Sequence, residues 1–145
     1  MSKRLEALEK MTRGELPAPP IARLLGFDLT SICRGEAVIE MDASEKHANP
    51  MGTLHGGVLC DIADAAMGMA YASTLADDES FTTLELKINF LRPVWNERLR
   101  ATGRVVKGGK TVGLVECDVT TPSGTLVARA TSTCMTLRGD QARGR

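Results

Sequence analysis

Aromatic residues make up only 3% of this 145-residue chain, so its core has to be built from aliphatic and small side chains. Net charge is missing too. The 18 Lys and Arg cancel the 18 Asp and Glu, which removes any global pull toward nucleic acid or an anionic membrane. Any anion binding must then be local. Histidine is scarce, and the four cysteines (Cys33, Cys60, Cys117, Cys134) include no C-x-x-C pair, so no metal site is expected. No apolar run approaches the roughly 20 residues that span a bilayer. Met1 to Arg13 alternates charge with leucine and lacks the apolar stretch of a signal peptide. Together these absences lead to a cytoplasmic protein with reduced, mostly buried thiols, and with neither nucleic acid nor membrane as a partner.

Several catalytic signatures are missing as well. There is no G-x-S-x-G elbow, no G-x-G-x-x-G and no H-E-x-x-H. Gly109-Lys110-Thr111 ends like a phosphate-binding loop, but Arg104 stands where its first glycine would be, so the stretch reads as a hairpin turn.

Hydrophobic residues are 43% of the chain, enough for one domain with a real core. Leu5, Leu8 and Met11 recur at helical spacing, and Pro20 suits the first turn of a second short helix stopped by Gly26. Residues 1–25 thus read as an N-terminal helical segment. Phe27 and Leu29, then Ala37, Ile39 and Met41, alternate with polar neighbours and read as a hairpin around Gly35. From Gly57 to about Leu75, alanine, methionine and glycine dominate without a proline, as in a central helix onto which other backbone packs closely. Gly68 lowers helix propensity there by about 1 kcal/mol relative to Ala.

Four alternating segments follow, starting near Leu84, Leu99, Val115 and Leu126. They are separated by Arg92-Pro93, by residues 107–110 and by residues 122–124. Short turns between consecutive strands predict an antiparallel four-strand meander, hence an α+β domain over residues 26–137. The polar residues 138–145 read as a disordered tail.

Chemistry concentrates where His55-Gly56-Gly57 enters the small-residue helix. Helix N-termini leave backbone N–H groups unsatisfied, and Gly56 has no side chain to block a carbonyl from its N–H. The plain alternative is a loop before a helix, with His55 capping it. Asp64 interrupts an apolar helix, and burial would raise its pKa and make it a better base. It could instead be a solvated helix residue. Thr83 could orient Asp64 or a water. Asp61, one turn earlier, reads as structural or surface, and His47 as an exposed loop residue. Between 92 and 110, Arg92, Arg98, Arg100, Arg104, Lys107 and Lys110 face only Glu97. They form either a phosphate-binding patch or a solvated strand face.

The run from Asn49 through Gly52 to His55-Gly56-Gly57, with an acid at position 64, resembles the hotdog-fold thioesterases of the phenylacetic-acid-degradation type, relatives of the 4-hydroxybenzoyl-CoA thioesterases. The resemblance extends over roughly residues 25 to 137. It implies an antiparallel sheet wrapped around a long central helix and paired into a dimer, itself paired into a tetramer. It also implies an acyl-CoA thioesterase with no cofactor. On that pattern Asn49, His55 and Gly56 would come from one subunit, and Asp64 and Thr83 from its partner. Gly56 N–H would polarise the thioester carbonyl, and Asp64 would act as general base or as nucleophile. Arg92, Lys107 and Lys110 would meet the CoA phosphates. The alternatives are a non-hydrolytic acyl-CoA-binding module and a hotdog dehydratase or hydratase. Some relatives carry Glu where this chain has Asp64, with a Thr one turn later where Gly68 stands; Thr83 would take over that hydroxyl role. The five aromatics suit aryl or medium acyl chains.

Overall fold

Apolar residues at every second position bury one face of the central strands, and the computed structural model, which describes residues 1–145, assembles six strands into one antiparallel sheet. The elements are α1 (Lys3–Thr12), α2 (Pro20–Leu25), β1 (Phe27–Cys33), β2 (Glu36–Asp42), α3 (Gly56–Ala72), β3 (Ser80–Phe90), β4 (Arg98–Gly108), β5 (Val112–Thr120) and β6 (Leu126–Leu137). The inner face carries Ile39, Met41, Leu99, Ala101, Val115, Cys117, Val119 and Ala130, all buried. It lies against Ile62, Ala63, Ala66, Met67 and Ala70 of α3, also buried. Leu8 of α1 and Ala22 of α2 join the same core, so residues 1–25 pack on the domain rather than standing apart.

The sheet order is β1-β2-β4-β5-β6-β3, which corrects the four-strand meander. Only β4, β5 and β6 follow in sequence; β3 lies at the sheet edge beside β6, and β4 pairs with β2. Cross-strand charge supplies a physical reason. Glu36, Glu40 and Asp42 of β2 stand opposite Arg104, Arg100 and Arg98 of β4. Arg98 bonds Glu40 at 2.9 Å and Asp42 at 3.0 Å, and Arg100 reaches Glu40 at 3.3 Å. Opposite charges facing across antiparallel strands favour that register. The 91–97 connection is anchored on its way across, with Val94 buried and its carbonyl accepting the Leu54 N–H at 2.7 Å.

Helix α3 ends three residues earlier than its composition suggests. Ser73 caps it, and the Ser73 hydroxyl donates to the Ala70 carbonyl and accepts the Gly35 N–H at 2.8 Å, tying the helix end to the β1–β2 turn. Two glycines allow α3 to lie close to the sheet. A Cβ on Gly103 would run into the Ala66 backbone, and one on Gly113 into the Tyr71 ring. Gly68, in contrast, faces the Phe81 ring rather than the sheet backbone.

Residues 138–145 also depart from the expected disorder. Gly139–Ala142 form a 3-10 turn, and Arg138 holds it down by pairing with Glu79 and donating to the Lys110 carbonyl, both at 2.7 Å. Of the four cysteines, all free, only Cys117 and Cys134 are buried; Cys33 is exposed and Cys60 half-buried.

Gly103→Ala inserts a methyl where α3 and β4 touch backbone to backbone. Overpacking of this kind costs about 1–3 kcal/mol, to be read as a fall in the denaturant midpoint at unchanged m. An unchanged midpoint would mean that α3 does not lie that close to β4.

Candidate active site

The loop before α3 is shaped by its own side chains. Asn49 Oδ1 accepts the Met51 N–H at 2.9 Å and the Thr53 N–H at 3.2 Å, and its Nδ2 donates to Thr53 Oγ1 at 2.8 Å. Gly52, at φ +89, turns the chain where an L side chain would be strained. Asn49 is therefore first of all the residue that folds this loop.

His55 is the N-cap of α3. Its Nδ1 accepts the Gly57 N–H at 2.9 Å, and its carbonyl accepts the Val58 N–H. The Gly56 N–H, between them, donates to no protein atom. It borders a cavity of about 430 Å³ lined also by Asn49, Phe90, Arg92 and Pro93. A Cβ on Gly56 would come within 2.9 Å of the Phe90 ring, so only glycine leaves that N–H accessible beneath the ring.

His47 is not an exposed loop residue. It is 6% exposed. Its Nδ1 accepts the Ser44 N–H at 3.1 Å, which makes Nε2 the protonated nitrogen that donates to the Leu25 carbonyl at 2.7 Å. The His47 carbonyl accepts the His55 N–H at 2.9 Å. This histidine thus fastens the site loop to the end of α2.

Asp64 lies two turns beyond Gly56 on α3, about 12 Å along the axis at 1.5 Å per residue. Thr83 of β3 donates its hydroxyl to Asp64 Oδ1 at 3.3 Å, and no cation pairs with the carboxylate. Asp64 keeps a solvent-facing side in the single chain, yet the groups packed around it desolvate it enough to hold its pKa above the ordinary aspartate range. The Thr83 hydrogen bond opposes that shift, and the charge of Asp61 adds to it. Asp64, Asp61 and Thr83 border a second cavity, which shares no lining residue with the first. Within one chain the expected site residues therefore fall into two groups: Asn49, His55 and Gly56 in one, Asp64 and Thr83 in the other.

The basic stretch divides as well. Arg98, Arg100 and Arg104 are taken up by Glu40, Asp42, Glu116 and Asp118, so those positions form an ion-paired strand face. Arg92, paired with Glu97 at 3.4 Å, lies beside the Gly56 cavity. Lys107, near the end of β4, and Lys110, in the β4–β5 turn, have no carboxylate partner; Lys107 lies level with Glu85 of β3 and three strands away from it, at the opposite end of the sheet from Arg92. Arg4 is a residue the sequence pattern did not single out. It lines the Asp64 cavity from α1, 60 residues away in sequence, and nothing in its local spacing marks it.

With this geometry in place, comparison with known proteins is informative. The thioesterase superfamily profile matches residues 51–128. Human acyl-coenzyme A thioesterase 13 is 29% identical over 136 residues, covering 92% of this chain and 96% of that protein. The acyl-coenzyme A thioesterase PaaI of Escherichia coli is 35% identical over 100 residues, 68% of this chain and 69% of PaaI. Among solved structures, E. coli PaaI, a protein of the phenylacetic acid degradation operon, superposes with a TM-score of 0.82 at 25% identity, over 94% of this chain and 98% of that one. A thioesterase family protein from Silicibacter pomeroyi gives 0.81 at 27%, over 91% and 99%. The fold, a sheet around one long helix, is the hotdog fold. The chain belongs to the thioesterase superfamily and is a thioester hydrolase.

Thr83→Val removes the hydrogen bond that holds Asp64 down, so the Asp64 pKa should rise, whereas Asp61→Asn should lower it. Carboxyl NMR titration reads both. The folded value of Asp64 lies above the unfolded one, so its contribution to stability is fully present below the unfolded pKa and is lost as pH rises through the folded pKa. Asp64→Asn should consequently gain on wild type in denaturant midpoint between acid and neutral pH. A difference independent of pH would place the carboxylate in an unperturbed setting.

Proposed function

We propose that this enzyme hydrolyses acyl-CoA thioesters to free acid and CoA, at a site assembled from the two groups of residues and completed by a second copy of the chain. The observation that carries this reading is Asp64: a carboxylate of raised pKa on the central helix, at an apolar cavity, with a hydroxyl and no cation as its partner.

The thioester oxygen sits against the free Gly56 N–H, where the positive end of α3 stabilises the charge that develops on it. His55 keeps the loop in place as N-cap, and the Asn49 turn holds Gly56 at the correct depth. Asp64, in its ionised form, takes the proton from an attacking water, or attacks the carbonyl itself to give a mixed anhydride that water hydrolyses once the thiolate has left; Thr83 orients it either way. The C–S bond then breaks. A thiol leaving group with a pKa of about 8.5 departs as thiolate without a strong acid. Neither step calls for a metal or bound cofactor. Arg92, beside the Gly56 cavity, is the base best placed for a CoA phosphate, with Lys107 and Lys110 free to meet the nucleotide from a neighbouring subunit. With His55 Nδ1 accepting the Gly57 N–H, its Nε2 carries the proton and offers no free base for a hydratase.

The two groups of residues lie about 12 Å apart on one helix, which is why the reading includes a dimer. The exposed edge strand β3, with Leu84 52% and Phe90 54% exposed, is the surface that such pairing would cover.

Hydrolysis of an acyl-CoA panel from acetyl to palmitoyl plus aryl members, with released thiol trapped by a chromogenic disulfide, tests the reading. Turnover is expected, and Asp64→Asn should reduce kcat by about 100-fold or more. Release of thiol from no member, or near-full turnover in Asp64→Asn, would overturn it.

A further inference from the structure

The cavity beside Asp64 measures about 490 Å³, and its long wall is one face of α3: Asp64, Ala65, Gly68, Met69 and Ala72. Leu8, Ile21 and Phe27 close the other side, and the Phe81 ring forms part of the lining, held edge-on to Tyr71 with ring centroids 5.7 Å apart. Gly68 matters here because a Cβ would stand 3.3 Å from that ring. Asp64 and Thr83 lie at one end. Ala72 lies eight residues further along the helix, about 12 Å away.

Beyond that far end, Arg4 reaches across from α1. Its Nη2 donates to the Glu79 carbonyl, immediately before β3 begins. Its Nε is the one buried side-chain nitrogen or oxygen in the protein with no hydrogen-bond partner, and no carboxylate pairs with the guanidinium. That Nε is enclosed by protein and out of reach of a molecule in the cavity, so a ligand would meet the rest of the guanidinium, whose shape and charge match a carboxylate. At the near end the sign is opposite, since Asp61 and Asp64 repel an anion. Among the lining residues the charges are thus divided, with Asp61 and Asp64 toward the reacting end and Arg4 toward the other, where Asp77 and Glu79 lie behind it outside the lining.

We propose that this cavity binds an acyl chain of medium length ending in a carboxylate, with Arg4 as its distal partner, so that the preferred substrates are mono-CoA thioesters of dicarboxylic acids. The inference rests on the acyl-CoA reading and specifies its substrate class. Extended backbone covers about 3.6 Å in three bonds, so ~12 Å corresponds to roughly ten bonds of chain. Arg4, Leu8, Ile21 and Phe27 all fall outside residues 51–128, so the superfamily match leaves this wall unspecified.

Two non-hydrolysable CoA thioethers decide it by calorimetry: S-octyl-CoA and S-(7-carboxyheptyl)-CoA. Wild type should bind the carboxylated thioether about tenfold tighter or more. Arg4→Met should lose that preference while binding the octyl compound as wild type does, and Arg4→Lys should retain part of it. Equal or weaker binding of the carboxylated compound by wild type overturns the proposal. An equal loss for both compounds in Arg4→Met does so too, since it would mean that Arg4 only supports the fold. Hydrolysis is measured alongside with the matching thioesters. Turnover without a carboxylate preference refutes this inference alone, whereas preferential binding without turnover supports it and refutes the catalytic reading.

Discussion

Everything in this molecule depends on how closely α3 lies against β4. The contact is backbone to backbone, Ala66 on Gly103, and it leaves no room for a side chain between them. Once Ile62, Ala66 and Ala70 are fixed against the sheet, Asp61, Asp64 and Gly68 must emerge on the flank toward β3 and α1, and Gly56 must open at the helix start toward the 91–97 connection. The scarcity of aromatics follows from the same contact. A helix lying this low has room for alanine over most of its buried face; Tyr71 packs its ring on Gly113, and Phe27, Phe81 and Phe90 stand around the flanks and line the cavities.

The positions of the chemical groups are then consequences of local packing. His47 is tied to the Leu25 carbonyl and the His55 N–H, Asn49 closes its own turn, and His55 occupies the Gly57 N–H. What these bonds leave over is the single Gly56 N–H. Asp64 is left over in the same sense, since its one hydrogen-bond partner is the Thr83 hydroxyl and no cation pairs with it. Satisfied groups hold the frame, and the unsatisfied ones are those to which the chemistry is assigned.

Much of this was legible from sequence because it depends on local periodicity. Alternation located all six strands, the small-residue run located α3 to within a few residues, and an acid inside that run drew attention to Asp64. Strand order was not legible, because β3 beside β6 and β4 beside β2 are pairings between distant segments. The charges that favour them, Glu36, Glu40 and Asp42 opposite three arginines, become a pattern only when the strands are side by side. Arg98, Arg100 and Arg104 read equally as a phosphate patch or a solvated strand face for the same reason, since their partners lie on β2 and β5. His47 looked exposed because its loop is polar, while its burial depends on a carbonyl 22 residues earlier. The tail looked disordered because one arginine, Arg138, supplies its anchor. Arg4 was invisible, since only the folded chain places α1 over the Asp64 flank.

The central claim is that two incomplete groups of residues on one chain combine into an active site between two chains. Mixing Asp64→Asn subunits with Asn49→Ala subunits, each inactive alone, tests it most directly. A shared site predicts that exchange restores part of the thioesterase activity, because a mixed dimer contains one intact pairing of Gly56 loop and Asp64. No recovery, with subunit exchange demonstrated independently, would contradict the account and require each site to be built within a single chain.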